Sequence, residues 1–284
     1  MKHIVVTGVS SGIGYATAKL LISQGCRVLG SVRSEADAER VKSELGENLI
    51  PLIFDLTRPD QIEAAAQRVG EMLNGTYLFG LVNNAGIAVS GPLMHIPMDE
   101  MRRQLEVNVL GVLKTIQVFL PLLGAVREQT DKPGRIVNIS SVSGQMAMPL
   151  IGPYTASKHA LEALSDVLRR ELFPYGVKVI VIAPGNVRTP IWDKLPDISL
   201  YKDTIYYRVL EKVMSRMDRR KNDSLDDVVI AGKIFRVLTM AHPGIRYILV
   251  KDKFKNWTIP HRLPDRWVDR MVEKKLSKYF DPLT

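Results

Sequence analysis

Seven short apolar runs, alternating with segments of helical pattern, constrain the fold of this chain more than any other feature. Several runs lack the polar alternation of a half-solvated strand, as expected of parallel strands covered by helices on both faces. Runs that alternate with helices predict βαβ units, and therefore an α/β fold with a doubly wound, mainly parallel sheet. The predicted strands span residues 3–6, 27–32, 49–54, 78–83, 135–140, 177–183 and 246–250.

Local signals mark where several helices begin and end. Ser34 is suited to cap a helix that Gly46 ends, while Pro59 and Pro153 stand in first turns. The helix that Pro153 opens carries leucines at helical spacing until Pro174, which predicts packing in the core or against another subunit. These leucines are Leu161, Leu164, Leu168 and Leu172.

Length and composition indicate one globular unit. The chain has 284 residues, of which 46% are hydrophobic and 24% charged, so a sizeable core is expected. We expect one domain over residues 1–250 and a helical extension over 251–284 that packs on it. Cys26 is the single cysteine, which excludes an internal disulfide and fits a reducing compartment.

Two segments bear on location. The first strand begins near His3, which leaves no room for a signal peptide, so export is not expected. Residues 136–157 carry no charged side chain, but their prolines, serines, Asn138 and Gln145 argue against a membrane span. The expected location is the cytoplasm, and peripheral contact with a membrane is the alternative.

A glycine-rich segment, Thr7-Gly8-Val9-Ser10-Ser11-Gly12-Ile13-Gly14, directly follows the first apolar run. Strand, glycine turn and helix in this order let the backbone approach a pyrophosphate, whose charge then faces the helix N-terminus. The spacing is G-x-x-x-G-x-G rather than the G-x-G-x-x-G of the common dinucleotide fingerprint, so only the mechanism matches. The segment predicts a dinucleotide site.

A second group of residues predicts carbonyl chemistry. Tyr154 and Lys158 stand four residues apart, and Ser141 lies thirteen residues before the tyrosine. Helical spacing of four places two side chains on one face, so we expect an ammonium beside a phenol. Such a charge lowers the pKa of tyrosine from about 10 and makes it a usable proton donor, while a serine hydroxyl hydrogen-bonds the substrate oxygen. A Tyr and a Lys at this spacing also occur by chance.

Together these motifs resemble the short-chain dehydrogenase/reductase family. Residues 7–14 match the family's glycine pattern, and Asn83 to Gly86 match its Asn-Asn-Ala-Gly motif. Asn108 corresponds to its helical asparagine, and residues 184–185 correspond to its Pro-Gly pair. The resemblance covers about residues 2–192 and is closest to the steroid and retinol dehydrogenase branch. It implies a single Rossmann-like domain and an NAD(P)-dependent oxidoreductase that acts on CH–OH donors.

The resemblance implies a set of cofactor-binding residues. They are Gly8, Ser10, Ser11, Gly12, Ile13, Gly14, Arg33, Asp55, Leu56, Asn83, Ala85, Gly86, Tyr154, Lys158, Pro184, Gly185, Val187 and Thr189. Asp55 resembles the residue that contacts the adenine in the family, and Asn83 and Gly86 resemble the residues that border the adenosine ribose. Thr189 resembles the residue that holds the carboxamide. Asp and Asn after strands are equally typical of turns.

The resemblance also implies the catalytic roles. Tyr154 gives a proton to the carbonyl oxygen as nicotinamide gives hydride to the carbon, and oxidation is the reverse. Lys158 lowers the pKa of Tyr154 and holds the nicotinamide ribose, while Ser141 steadies the oxygen. Asn108 supports a water that relays protons to the lysine. Ser140 competes for the serine role, but the thirteen-residue offset favours Ser141.

The end of the second strand predicts which cofactor binds. NAD sites usually place a carboxylate there, against the ribose 2′-hydroxyl. This strand ends Gly30-Ser31-Val32-Arg33, and a guanidinium suits a 2′-phosphate. NADP(H) is therefore predicted, with NAD(H) as the alternative if Arg33 is only a solvated loop residue.

Bulky apolar residues near the candidate catalytic groups predict the substrate. Met146 and Met148 follow Ser141, and Trp192 lies in the segment at about 186–222, where family members build a substrate lid. With Ser141 and Tyr154 they predict a pocket for a small apolar ketone, aldehyde or alcohol, such as a steroid or retinoid. For each of these apolar residues, packing in the core or against another subunit is an equally good interpretation. The alternative functions are a 3-oxoacyl thioester reductase and a non-catalytic NADPH-binding sensor or scaffold.

The chain continues past the seventh strand with a basic segment. Residues 251–284 contain nine Lys/Arg and five Asp/Glu, a net of +4. Its apolar positions are Leu263, Trp267, Met271 and Leu276, and its basic ones include Arg266, Arg270 and Lys274. This predicts an amphipathic helix that packs on its own domain or a partner subunit, or touches an anionic membrane.

Other partners follow from the family resemblance and from charge. The resemblance implies a homodimer or homotetramer that associates through the helices carrying Asn108 and Tyr154. The basic pI of about 9.6 comes without any nucleic-acid recognition motif, so no nucleic acid is predicted. The five histidines lack ligand spacing beside cysteines, so no metal is predicted.

Overall fold

A computed structural model describes residues 1–126, 132–189, 191, 198–220 and 224–280. Seven strands form one sheet in the order β3-β2-β1-β4-β5-β6-β7, and every neighbouring pair is parallel. The predicted doubly wound α/β fold is confirmed. The strands are β1 Lys2–Val6, β2 Cys26–Val32, β3 Leu49–Ile53, β4 Gly80–Asn83, β5 Arg135–Ile139, β6 Lys178–Pro184 and β7 Arg246–Leu249.

Ten α-helices are present in the described residues. They are α1 Gly12–Ser23, α2 Glu35–Leu45, α3 Pro59–Leu73, α4 Met98–Leu105, α5 Gly111–Phe119, α6 Gly152–Glu171, α7 Tyr207–Arg220, α8 Asp227–Thr239, α9 Ile259–Arg262 and α10 Asp265–Leu276. The predicted N-cap of α2 is confirmed, because the Ser34 hydroxyl accepts a hydrogen bond from the Asp37 backbone N–H at 3.2 Å. Gly46 ends that helix, and Pro59 and Pro153 lie in first turns as predicted.

Side chains of each strand alternate between two apolar layers. In β1, Ile4 and Val6 belong to the layer under α1, α2 and α8, whereas Val5 belongs to the layer under α3, α5 and α6. All three side chains are fully buried. A sheet covered on both faces explains why the strands read as continuous apolar runs. The leucine stripe of α6 lies in the second layer through Leu161 and Leu168.

The strand order indicates where on the sheet a ligand would bind. The chain runs from β1 outward to β3, then returns to β4 beside β1 and continues outward to β7. The order therefore reverses between β1 and β4, and in open α/β sheets ligands bind outside the carboxyl ends of the strands at such a point. The loops that follow Val6 and Asn83 meet there.

The segment after β7 forms a π-helical turn over Phe254–Thr258, then α9 and α10. Helix α10 confirms the predicted helical extension, but none of its residues is buried. Two contacts are aromatic: Trp257 stacks on His261 with ring centroids 4.5 Å apart, and Phe280 meets Tyr206 edge-on at 5.6 Å. No helix in the described part of the chain is both long and apolar enough to span a bilayer.

Candidate active site

The carboxyl ends of the strands border one cleft with a volume of about 360 Å³. This volume falls within the range of small-molecule sites, about 300–1,000 Å³. Most residues that the sequence singled out line it. They are Gly8, Ser10, Ser11, Gly12, Ile13, Arg33, Asp55, Leu56, Ala85, Gly86, Ser141, Tyr154, Lys158, Pro184, Gly185, Val187 and Thr189.

The glycine turn forms one end of the cleft. Gly8 and Gly12 have φ angles of +72° and +55°, a backbone region that glycine adopts without strain. Gly14 does not line the cleft, because it faces the turn itself: a Cβ there would lie 2.0 Å from the carbonyl oxygen of Gly8. Ser11 is the N-cap of α1 but makes no side-chain capping bond. The helix terminus therefore suits an anion such as a pyrophosphate.

Asn84 ties this turn to the end of β4. Its side-chain N–H group donates to the carbonyl oxygens of Thr7 at 2.9 Å and Gly8 at 3.2 Å. The Thr7 hydroxyl in turn accepts from the backbone N–H groups of Asn84 and Ala85. The sequence pattern had predicted a cofactor contact at Asn83, but Asn83 is buried and donates to the Asn138 side chain at 2.8 Å. Asn83 connects β4 to β5 and lies outside the cleft.

The loops after β2 and β3 form the opposite wall. The Gly8 N–H donates to the Ser31 hydroxyl at 2.9 Å, which joins this wall to the glycine turn. Arg33 is exposed and lines the cleft two residues farther along. The Asp55 carboxylate accepts bonds from the Thr57 N–H and hydroxyl, each at 2.8 Å. Asp55 thus makes a turn and borders the cleft, while Arg33 adds a cation.

Ser141, Tyr154 and Lys158 meet at the other end. All three are buried, and Tyr154 and Lys158 lie in the first two turns of α6. The Lys158 ammonium donates to the carbonyl oxygen of Ile139 at 2.8 Å and stands 5.7 Å from the centroid of the Tyr154 ring. The Ser141 hydroxyl accepts from the Ser143 N–H at 3.1 Å and also bonds the Tyr154 side chain.

Burial has the largest effect on the pKa values of Tyr154 and Lys158. It raises the pKa of Tyr154 above its ordinary value, and the hydrogen bond to Ser141 opposes the rise. It also lowers the pKa of Lys158 to about 8, an effect opposed by the negative charge of Glu162. The net shift of the Tyr154 pKa is therefore upward, opposite to the lowering expected from a neighbouring lysine, because burial has the largest effect. The phenol is neutral and carries a proton that it can donate.

Asn108 supports the site from outside the cleft. It is buried in a π-helical turn, Glu106–Leu110, between α4 and α5. Its side-chain N–H group donates to the Ile87 carbonyl oxygen at 2.9 Å and the Ser157 hydroxyl at 3.1 Å. Its oxygen accepts from the Ile87 N–H at 2.9 Å. Asn108 thereby holds the loop after β4 against α6.

Comparison with known proteins assigns the family. The short chain dehydrogenase family model matches residues 2–198, more than half of the chain. The chain belongs to this family. Membership makes it an NAD(P)-dependent oxidoreductase with the Rossmann-like fold described above.

Individual relatives of this dehydrogenase cover most of its length. It is 38% identical over 279 residues to the NADPH-dependent 3-dehydrocapnine reductase of Ornithobacterium rhinotracheale, with 98% of each chain covered. It is 35% identical to retinol dehydrogenase 7 of Rattus norvegicus, with 87% of its own chain and 80% of the relative covered. The crystal structure of a short-chain dehydrogenase from Streptomyces avermitilis matches with a TM-score of 0.75 at 25% identity, covering 99% and 98% of the two chains.

The predicted substrate residues of the dehydrogenase are only partly in place. Met146 and Met148 lie after Ser141, but neither lines the cleft, and Met148 is 43% exposed. Trp192 falls outside the described residues, while its near neighbour Ile191 does line the cleft. Apolar character in a sequence cannot tell a pocket wall from a surface residue.

A close contact shapes the dehydrogenase near the start of α6. A Cβ on Gly91 would lie 2.4 Å from the Tyr201 hydroxyl, and the φ of +153° at this position also favours glycine. The Gly91 N–H donates to the carbonyl oxygen of Leu150 at 2.7 Å. Leu150 has a φ of +68°, a strained angle for a residue with a Cβ. The segments around residues 91, 150 and 201 therefore form one packed unit.

Several residues of the cleft were not predicted from the sequence. They are Ser31, Val32, Phe54, Asn84, Ile87, Ala88, Arg103, Val107 and Ile139. Most of them neighbour predicted residues in the loops after strands. Their position at a strand end was the one sequence signal that could have identified them. Arg103 and Val107 come from α4 and the π-helical turn, and only tertiary packing brings them to the cleft. Among the described residues, no cluster of three or more His, Cys, Asp or Glu could hold a metal ion.

Proposed function

We propose that this dehydrogenase uses NADPH to reduce the carbonyl group of a hydrophobic ketone or aldehyde, and oxidises the corresponding alcohol in reverse. One observation carries the proposal: a single cleft joins an anion-binding helix terminus to Ser141, Tyr154 and Lys158. A dinucleotide bound at the first end would extend toward the second within the same cleft.

The residues present fit a nicotinamide dinucleotide. The N-terminus of α1 lacks a side-chain cap from Ser11, and the glycines let the backbone come close to phosphates. Gly86, which lines the cleft where Asn83 does not, would border the adenosine ribose, and Thr189 would hold the carboxamide. When bound, the nicotinamide supplies the hydride.

The residues of this chain supply the proton and the orientation. Burial raises the pKa of Tyr154, so the phenol retains a proton that it can donate to the carbonyl oxygen. Ser141 hydrogen-bonds the same oxygen as charge develops there. The Lys158 ammonium, held by Ile139, orients the nicotinamide ribose and replaces the proton lost by Tyr154, with Asn108 supporting the water relay.

NADP(H) is the proposed cofactor because of Arg33. Its guanidinium lies at the end of β2, where NAD sites place a carboxylate, and it lines the cleft beside Ser31. The Ornithobacterium relative is named as NADPH-dependent, which supports the same choice. NAD(H) is the alternative.

Exposed apolar residues near the start of α6 favour a hydrophobic substrate. Leu93, Met94 and Met98 are 65%, 72% and 62% exposed. Leu93 packs so closely on α6 that a Cβ at Gly152 would lie 2.9 Å from its side chain, two residues from Tyr154. The relatives named above act on 3-dehydrocapnine and retinol. A long apolar ketone or alcohol is therefore the proposed class, and a 3-oxoacyl thioester is the alternative.

We propose that residues 251–284 form an extension of the catalytic domain rather than a second domain.

The C-terminal helix α10 is the proposed contact with an anionic membrane. Trp267 and Met271 are 61% and 47% exposed, and with Lys274 they share one face of the helix. Arg270 and Lys275 flank that face. The acidic residues Asp265, Asp269 and Glu273 repeat every four positions on the other side. Aromatic and basic groups on one exposed face suit an anionic lipid surface.

A homodimer or homotetramer is also proposed. The helices that carry Asn108 and Tyr154 would form the subunit contact. Val167 on α6 and Leu110 beside Asn108 are 44% and 52% exposed and offer apolar area to a partner subunit. Sedimentation equilibrium measures the assembly directly, and a monomer at all concentrations would contradict it.

The decisive experiment is a spectrophotometric screen of NADPH oxidation over steroids, retinoids, acyl thioesters and simple aldehydes. We expect turnover with long apolar ketones or aldehydes and little with simple aldehydes. Faster turnover of acyl thioesters would favour the alternative reductase. Absence of turnover across the whole panel would favour a non-catalytic NADPH-binding protein.

A further inference from the structure

A buried carboxylate lies one helical turn beyond Lys158. Glu162 follows the lysine by four residues on α6, so the two side chains share a face. Its side chain is only 7% exposed. A carboxylate out of water is costly unless it is paired and hydrogen-bonded, so its presence beside the candidate site needs a physical account.

The two oxygens of this carboxylate differ in their bonding. Oε2 accepts from the Arg246 guanidinium of β7 at 2.7 Å and from the Gln145 side chain at 3.4 Å. Oε1 is buried and has no hydrogen-bond partner among the described residues. Arg246 also reaches Asp166 at 3.3 Å, one turn farther along α6. Arg246 thus fixes Glu162 but leaves one oxygen unbonded.

Glu162 also touches the loop that carries Ser141. A Cβ added at Gly144 would lie 2.8 Å from the Ser140 hydroxyl, 3.0 Å from the Glu162 Cγ and 3.0 Å from the Lys158 carbonyl oxygen. Gly144 therefore lets this loop pack directly on the turn of α6 between Lys158 and Glu162. Gln145, from the same loop, adds its hydrogen bond to the carboxylate.

The charge of Glu162 acts on Lys158. Burial lowers the pKa of Lys158 to about 8, and Glu162 is the charged group that opposes this effect. Other titratable groups on α6 and on the elements packed against it include Tyr154, His159, Asp166, Arg169, Arg103, Glu106, Lys178 and Arg246. Of these, Asp166 and Arg169 pair with each other on the helix surface.

We propose that Glu162, held in place by Arg246, is a positioning residue that keeps Lys158 in its charged form and fixes the Ser141 loop through Gln145. The role in turnover rests on the proposed function, because it assumes that Lys158 acts in reduction. The electrostatic part of the proposal does not depend on turnover.

The first test is the pH profile of kcat/KM for reduction. If charged Lys158 is required, activity falls as pH rises through its pKa. Glu162→Gln should move this fall to lower pH by about one unit, because a favourable charge is lost. Arg246→Gln leaves the carboxylate uncompensated and should move the fall in the opposite direction, while Arg246→Lys should restore the original position. Glu171→Gln, at an exposed position near the end of the same helix, is the matched control and should leave the profile in place.

The second test reads the charge of Lys158 without turnover. The free energy of unfolding is measured against pH for the full chain and for Glu162→Gln, each with and without Lys158→Met. The difference within each pair isolates the contribution of the lysine. Its pH dependence should begin at lower pH in the Glu162→Gln pair.

The outcomes separate the two proposals. A uniform loss of activity at every pH with unchanged stability curves would make Glu162 merely structural and overturn this inference. Shifted stability curves in a protein without NADPH-dependent turnover would support the inference and remove the proposed function. If Glu162→Gln does not fold, Arg246→Gln against Arg246→Lys decides: an unmoved profile and unmoved curves would overturn the inference.

Discussion

The Lys158 ammonium donates a hydrogen bond to the backbone carbonyl of Ile139 over 2.8 Å, at the point where β5 ends. This bond aims the lysine into the cleft from a buried position. Burial is unfavourable for the charged form and lowers the pKa of the lysine to about 8. The group is therefore expected to cost stability while it serves the reaction.

Lys158→Met should stabilise the protein at pH 7. The folded-state pKa of about 8 lies below the ordinary 10.5, so the unfolded chain binds more protons between these values and stability rises with pH there. Removing the charge should raise the free energy of unfolding by about 1–3 kcal/mol at pH 7, reduced by the contribution of the lost hydrogen bond to Ile139. This gain in stability should shrink toward pH 10.5. Urea unfolding at pH 7 and 10 measures it. Lys19→Met, at an exposed position of α1, should change little at either pH.

Tyr154→Phe should abolish most turnover without loss of cofactor binding. The phenol is buried against Ser141 and Lys158, and loss of a general acid typically costs about 10²–10⁴-fold in rate. Steady-state kinetics and NADPH fluorescence titration measure the two properties. Tyr175→Phe, 38% exposed and far along the chain, is the control and should keep full activity. Substantial turnover in the Tyr154 variant would remove the assigned proton donor.

Arg33→Ala should weaken NADPH use selectively. A charge-assisted bond to a 2′-phosphate is worth about 1.5–3 kcal/mol, so kcat/KM for NADPH should fall roughly 10- to 100-fold while that for NADH stays constant. Arg58→Ala, an exposed arginine paired with Asp60, should affect neither cofactor. Equal losses for both cofactors would show that Arg33 does not read the phosphate.

Gly14→Ala should damage the phosphate end of the cleft. Its Cβ would lie 2.0 Å from the Gly8 carbonyl oxygen, so the turn must move and both stability and cofactor affinity should fall. Gly232→Ala on α8 meets nothing within 4 Å and should instead stabilise the helix by up to about 1 kcal/mol. Thermal unfolding and NADPH titration of the two variants test the contrast. A harmless Gly14 variant would contradict the close packing.

Trp267→Ser should weaken membrane contact. The full chain should co-sediment with liposomes that contain anionic lipid, less with neutral ones, and the variant should lose most of the binding because its aromatic anchor is gone. Phe173→Ser removes an 82% exposed aromatic residue elsewhere on the surface and should bind like the parent protein. Failure of the full chain to bind anionic liposomes would leave α10 without this role.

Much of this protein was determined by sequence alone. Apolar runs specified the seven strands because strands of a sheet buried on both faces are almost entirely apolar. The N-cap at Ser34 and the first-turn proline Pro59 depend on local backbone chemistry. The glycine turn and the spacing of Tyr154 and Lys158 are also local, so their elements could be predicted without knowing the rest of the chain.

Only the tertiary structure decided how the site is arranged. Sequence could not tell Asn83 from Asn84, because successive side chains of a strand point to opposite sides and register depends on neighbours. It also gave the wrong sign for the pKa of Tyr154, since spacing reveals a nearby charge but not how deeply both groups are buried. The pairing of Glu162 with Arg246 joins residues 84 positions apart, and desolvation and long-range contacts of this kind exist only once the chain has folded.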